Sequence, residues 1–124
     1  MSSIPQISES ELEVMKVLWE FGSATSSQIV DSLTPISNWK PKTIQTLITR
    51  LVAKGAVKAE PTGNKAFLYS PLVSKSEFRA HANHSFLKKM YNGSVNLMLA
   101  SFVKEQRISK KELESLRKLL DEEV

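Results

Sequence analysis

The chain has 124 residues, 41% hydrophobic and 24% charged, with a formal net charge of +4 and no cysteine. Such values suit one compact domain, or a small domain with an extension, and they exclude disulfides, thiolate metal sites and thiol nucleophiles. The opening MSSIPQIS lacks the basic and apolar regions of a secretory signal, and the longest apolar patch, LMLASFV at 97–103, is far short of a spanning helix, so a cytoplasmic protein with no membrane insertion is expected.

A recurring device marks the helix starts. ISESEL (7–12), VSKSEF (73–78) and ISKKEL (108–113) each read apolar, Ser, two spacers, Glu, apolar. In such a capping box the serine accepts from an amide of the first turn, the glutamate reaches back to the cap amide, and the flanking apolar pair can close as a staple. ATSSQI (24–29) is a weaker copy built on Thr25 and Gln28.

The first helix is predicted from Glu9 to Phe21, with Leu12, Met15, Leu18 and Trp19 inward and Gly22 ending it. A second, Ser26 to Leu33, turns Ile29, Val30 and Leu33 inward. The third starts at Pro41, whose missing amide costs nothing at the first helical position, and is closed by Gly55. Residues 56–61 and 65–71 then read as two strands joined by Thr62, Gly63 and Asn64, with Val57, Ala59, Phe67 and Tyr69 alternating. Three further helices follow: Lys75 to Tyr91, with Phe78, Ala82, Phe86 and Met90 on one stripe, then Ser94 to Lys104, then Lys110 to Glu123.

Three helices followed by a hairpin is the order of a winged helix-turn-helix domain. The expected fold is mainly α with a small β hairpin: a winged helix-turn-helix DNA-binding domain over residues 1–72 and a C-terminal three-helix dimerisation region over 73–124.

Charge placement points to a partner. Residues 1–37 carry Glu9, Glu11, Glu13, Glu20 and Asp31 against Lys16, whereas residues 38–71 carry Lys40, Lys42, Arg50, Lys54, Lys58 and Lys65 against Glu60. A basic island of this kind attracts phosphates. In the third helix, Ile44, Leu47, Ile48 and Leu51 define an inward face at about 100° per residue. Lys42, Thr46 and Thr49 point away from it, flanked by Gln45 on one side and Thr43 and Arg50 on the other. Glutamine can bond adenine, threonine methyls can touch thymine, and lysine or arginine can take guanine or phosphate. An ordinary surface helix mixes both charge signs, yet no acid stands between Trp39 and Gly55. The residues expected to bind DNA are Lys40, Lys42, Thr43, Gln45, Thr46, Thr49 and Arg50, with Lys65 on the hairpin turn as a wing contact. Thr25 and Ser26, at a helix start, could also hold a phosphate, although capping alone explains them.

The C-terminal stripes, Val95, Met98, Leu99, Phe102 and Val103, then Leu113, Leu116 and Leu120, suit self-association, because about 50 residues rarely close a stable core alone. Folding back on the winged domain is the alternative. No cofactor is expected. His81 and His84 are three apart on a helix but have no carboxylate beside them to complete a metal site, and no nucleophile-elbow or phosphate-loop glycine pattern is present, so an enzyme is not expected. The competing reading is a winged-helix protein-interaction module without a specific DNA site.

WKPKTIQTLITRLVAKG (39–55), SESELEVMKVLWE (8–20), the aromatic strand with Tyr69 and NLMLASFV (96–103) together resemble the penicillinase-repressor family, the BlaI/MecI group of bacterial winged-helix repressors. The resemblance covers nearly the whole chain. It implies a cytoplasmic homodimer on a pseudo-palindromic operator of double-stranded DNA, repressing genes of the β-lactam-resistance type. It also implies release by a membrane sensor metalloprotease that cuts a C-terminal helix before a phenylalanine. The matching bond here joins Ser101 to Phe102, where well-known members have asparagine before the phenylalanine. Lys40 stands where relatives usually have a small capping residue, and Gln45 where related repressors can carry arginine.

Overall fold

The computed structural model describes residues 4–123. Met1, Ser2 and Ser3, part of the stretch read above for a signal, and Val124 lie outside the described residues. The elements run α1 (Glu9–Phe21), β1 (Ala24–Thr25), α2 (Ser26–Leu33), α3 (Pro41–Ala53), β2 (Val57–Pro61), β3 (Phe67–Pro71), α4 (Lys75–Tyr91), α5 (Val95–Lys104) and α6 (Lys110–Glu123). The predicted helices are therefore all present, with ends displaced by a residue or two at most.

The caps explain that agreement. Ser8 Oγ accepts from the Glu11 amide at 3.1 Å while Glu11 Oε1 accepts from the Ser8 amide at 2.9 Å. The same reciprocal pair forms between Ser74 and Glu77 and between Ser109 and Glu112. Thr25 and Gln28 close the fourth box. Each cap satisfies amides that the helix cannot, a stabilisation of about 1 kcal/mol.

The sheet departs from the expected hairpin. It has three strands in the order β1-β3-β2, both pairings antiparallel: Ala24 lies opposite Tyr69 on one side, and Ala59 opposite Tyr69 on the other. A two-residue strand is too short to show alternation, so in sequence β1 is visible only as the lead-in to a helix cap. Phe67 also differs: it shares a face with Tyr69, yet it stays 46% exposed while Tyr69 is buried. At the far end of the hairpin, beside Pro61, it lies past the edge of the core.

The chain divides into two compact units, residues 1–80 and 81–124, so the division falls inside α4. In the first unit, Val14, Met15 and Leu18 of α1, Ile29 and Leu33 of α2, and Ile44, Leu47, Ile48 and Leu51 of α3 close one core with Val57 and Tyr69. Each fully buried aliphatic side chain contributes roughly 1.5–3 kcal/mol. The Trp19 indole N–H donates to the Val73 carbonyl at 2.8 Å, and its ring meets Phe78 at 5.7 Å between centroids. Those two contacts place the start of α4 with the first unit.

The second unit holds the rest of α4 with α5 and α6. Its connections turn on Asn92 (φ 50°), Gly93 (φ 83°) and Gln106 (φ 60°). Phe86 meets Tyr91 edge to face at 5.8 Å, and the Tyr91 hydroxyl donates to Ser101 Oγ at 3.3 Å. Among the described side chains of this unit none is buried.

Candidate nucleic-acid interface

Helix α3 is set against the core by one face and presents the other to solvent. Ile44 and Ile48 and Leu51 are fully buried and Leu47 nearly so. Lys42, Thr43, Gln45, Thr46, Thr49 and Arg50 are all exposed, so six of the predicted contacts lie together on one helix. Lys40 precedes that helix in an extended conformation (φ −82°, ψ 158°), as a residue before proline must, and makes no side-chain cap. Its carbonyl accepts from the Thr43 and Ile44 amides at 3.0 and 3.2 Å. The missing cap costs about 1 kcal/mol, and the lysine side chain is left free to do something else.

The threonines are held in one orientation. Thr46 Oγ1 donates to the Lys42 carbonyl and Thr49 Oγ1 to the Gln45 carbonyl, both at 3.0 Å. Their hydroxyl hydrogens are thereby spent inside the helix. What remains for a partner is a methyl group and an acceptor lone pair, suited to a thymine methyl or to the exocyclic amine of adenine or cytosine.

Lys65 sits on a separate element, the loop between β2 and β3. The Thr62 amide and hydroxyl both donate to the Ala66 carbonyl, at 3.1 and 2.8 Å, closing a tight tip in which Gly63 and Lys65 take positive φ values of 88° and 66°. Lys65 is exposed there. Between α3 and the sheet runs an apolar groove of about 300 Å³ lined by Thr49, Val52, Ala53, Ala59, Phe67 and Tyr69.

Cations of the basic island fall into two sets. Lys58 pairs with Glu60 at 3.2 Å and Lys54 pairs with Glu11. Among the described residues, no carboxylate lies within ion-pair distance of Lys40, Lys42, Arg50 or Lys65. Those side chains keep their whole charge for an external anion.

The family model described as Penicillinase repressor matches residues 7–122. The chain belongs to the penicillinase repressor family. Over 122 residues it is 40% identical to the penicillinase repressor of Bacillus licheniformis, covering 98% of this chain and 94% of that protein. Over 116 residues it is 36% identical to the methicillin resistance regulatory protein MecI of Staphylococcus aureus strain N315, covering 94% of each. Among solved structures, the monomeric Bacillus licheniformis BlaI in complex with the blaP half-operator matches with a TM-score of 0.54 at 43% identity, over 62% of this chain and 93% of that one. Family membership fixes the class of the protein as a winged-helix transcriptional repressor, and no described helix is long and apolar enough to cross a membrane.

One charged pair in this repressor escaped the sequence reading. The spacing of Glu11 points only to its cap, yet its carboxylate is 2% exposed and also accepts from the Lys54 ammonium. Burial works to raise the Glu11 carboxyl, but hydrogen bonds from Lys54 and the Ser8 amide, with the Lys54 charge, hold it below its ordinary value. Partners 43 positions apart leave no local spacing signal.

The remaining predicted residues belong to the second unit. Val95 is 51% exposed, Val103 44%, Leu116 38% and Leu120 60%, while Met98, Leu99, Phe102 and Leu113 are half-buried. Leu97 and Leu119, outside the predicted stripes, are also more than half exposed. Ser101 and Phe102 lie near the end of α5; the Ser101 hydroxyl donates to Glu105 Oε2 at 3.0 Å. His81 and His84 are exposed on α4.

Proposed function

We propose that the protein represses transcription in the cytoplasm as a homodimer on a pseudo-palindromic operator, controlling genes of the β-lactam-resistance type. One observation carries this reading: the exposed side of α3 has no acid, and among the described residues no carboxylate pairs with its cations. Gln45 reads adenine, Thr46 and Thr49 offer methyls to thymine, and Lys42 and Arg50 take guanine or phosphate. Thr43 flanks them, and Lys40 and Lys65 hold the backbone. The half-operator complex of the relative from Bacillus licheniformis supports the assignment.

Residues 1–72 form the DNA-binding part and residues 73–124 the dimerisation part. Val95, Met98, Leu99, Phe102, Val103, Leu113, Leu116 and Leu120 build the interface between copies, supported by their incomplete burial in one chain. Release follows cleavage of the Ser101–Phe102 bond by a membrane sensor protease. A cut there would separate Phe102, Val103 and α6 from the rest, weakening the avidity of two linked half-site contacts.

Selection of bound sites from random duplex DNA tests the reading. A repressor should enrich two inverted half-sites; Thr46→Ala should relax preference at one base position, and Lys42→Ala should weaken all duplexes alike. Equal recovery of every sequence by the wild type would overturn the assignment. For the release step, cells exposed to a β-lactam should accumulate a fragment whose mass ends at Ser101, and an intact chain throughout induction would count against it.

A further inference from the structure

By charge alone Lys54 belongs with the phosphate contacts, because it follows the last turn of α3 within the acid-free stretch. Its ammonium is committed elsewhere. It donates to Glu11 Oε1 at 2.5 Å and to the Gln6 carbonyl at 2.9 Å. Glu11 in turn accepts from the Ser8 amide, so its carboxylate is fixed at the first turn of α1. The Lys54 backbone amide donates to the Arg50 carbonyl at 3.0 Å, which ties the lysine to the turn that carries Arg50. Of the ion pairs among the described residues, this one alone has a buried member; the carboxylates of the other three are 38%, 52% and 54% exposed.

Burying a carboxylate is a poor route to stability, since apolar residues of the same size commonly do as well or better. What such a pair does supply is direction. Val14 and Leu18 of α1 and Ile48 and Leu51 of α3 lie in the same hydrophobic core, and apolar burial by itself is non-directional. A lysine held by two acceptors at the end of α3 is directional. Because the threonines and Gln45 project from the opposite side of that helix, a small rotation of it moves every one of them.

Resting on the operator-binding reading, we propose that the Glu11–Lys54 pair is a positioning device: it fixes the rotation of α3 against α1, and so sets sequence discrimination, while Lys54 makes no phosphate contact.

The test measures binding of the full-length protein to its selected site and to a random duplex across a salt series. In Glu11→Gln, affinity for the selected site should fall relative to the random duplex by roughly tenfold, about the value of one base contact, with the salt slope unchanged. The double variant Glu11→Gln, Lys54→Met leaves no unpaired charge at this site and should show the same loss. Lys54→Arg keeps the pair and should retain discrimination. A phosphate-contacting Lys54 predicts otherwise: Glu11→Gln would free an ammonium, strengthen both duplexes and steepen the slope by roughly 0.9 per subunit. The ratio of affinities does not depend on the folded fraction, so a less stable variant remains informative. Unchanged discrimination in both the single and the double variant, or a steeper slope in Glu11→Gln, overturns the positioning role. Wild-type protein that binds both duplexes equally overturns the operator reading and the pair's role with it.

Discussion

In the N-terminal unit Met15, Leu18, Ile29, Ile44, Ile48 and Leu51 are each withdrawn completely from water by a single chain. In the C-terminal unit Val95, Leu97, Leu119 and Leu120 are each more than half exposed, and none of the described side chains is buried. Both units contain three-turn and longer helices with good caps, so helix formation does not separate them. The difference lies in what their apolar faces meet. The first unit is long enough to fold three helices and a sheet over one another. The second offers stripes on separate helices whose side chains stay partly or largely exposed within one chain. On the proposed homodimer reading, the first unit is a reading head whose shape is independent of concentration and the second a coupling region whose shape is not.

Removing the second unit should break that comparison most severely. Residues 1–80 alone should melt cooperatively and sediment as a monomer, yet bind a full operator some 10²–10⁴-fold more weakly, because the two half-site contacts are no longer linked. Fluorescence anisotropy with full and half operators measures the loss; a truncated chain that binds the full operator as tightly as the intact one would show that the C-terminal helices do not couple copies.

Next in size is a matched pair of leucine truncations. Leu51→Ala opens a cavity in a closed core and should cost about 2–5 kcal/mol, the same at every protein concentration. Leu120→Ala removes a side chain that is 60% exposed in one chain. It should leave the melting of the N-terminal unit unchanged and raise the dimer dissociation constant by roughly tenfold, or about 1.4 kcal/mol. Thermal melts at two concentrations and sedimentation equilibrium distinguish the two behaviours. Equal, concentration-independent destabilisation by both would mean that Leu120 packs within its own chain.

The capping boxes explain why helix positions could be read so directly. Ser8 with Glu11, Ser74 with Glu77 and Ser109 with Glu112 satisfy the same hydrogen bonds in structure that their spacing promises in sequence. The exposed face of α3 was equally legible, since a 13-residue helix with four buried positions leaves the rest little choice of side. Contacts between distant residues were not. Strand β1 exists because two residues pair with Leu68 and Tyr69, and nothing in Ala24 or Thr25 encodes that partner. Phe67 carries the same alternation as Tyr69, but whether core atoms extend far enough to cover it depends on how the hairpin ends. Glu11 serves a local cap and a distant lysine at once, and only the first role has a fixed spacing.

That double role yields the smallest expected effect, which separates the units by pH. Glu11 lies in the first unit, and its carboxyl is held below the ordinary value of 4.5: burial opposes the charge, and the bonds from Lys54 and Ser8 outweigh it. A carboxyl depressed on folding stabilises the native state above its unfolded-state value, and that stabilisation disappears as pH falls through the folded-state value. The melting of the first unit should therefore fall with acidification from about pH 5 toward pH 3. Water reaches Lys54, which is 36% exposed, and so weakens its charge on the carboxylate and keeps the effect modest. Glu105 and Glu112 of the second unit are also lowered, chiefly by hydrogen bonds from Ser101 and Ser109, but both are solvent-exposed and act on local turns. Glu11→Gln should thus flatten the acid slope of the first unit's melt while leaving dimer dissociation with its wild-type pH profile. If the slope of the melt is the same in Glu11→Gln and wild type, protonation of other carboxylates governs the acid response, and the buried pair contributes direction to α3 without contributing to pH dependence.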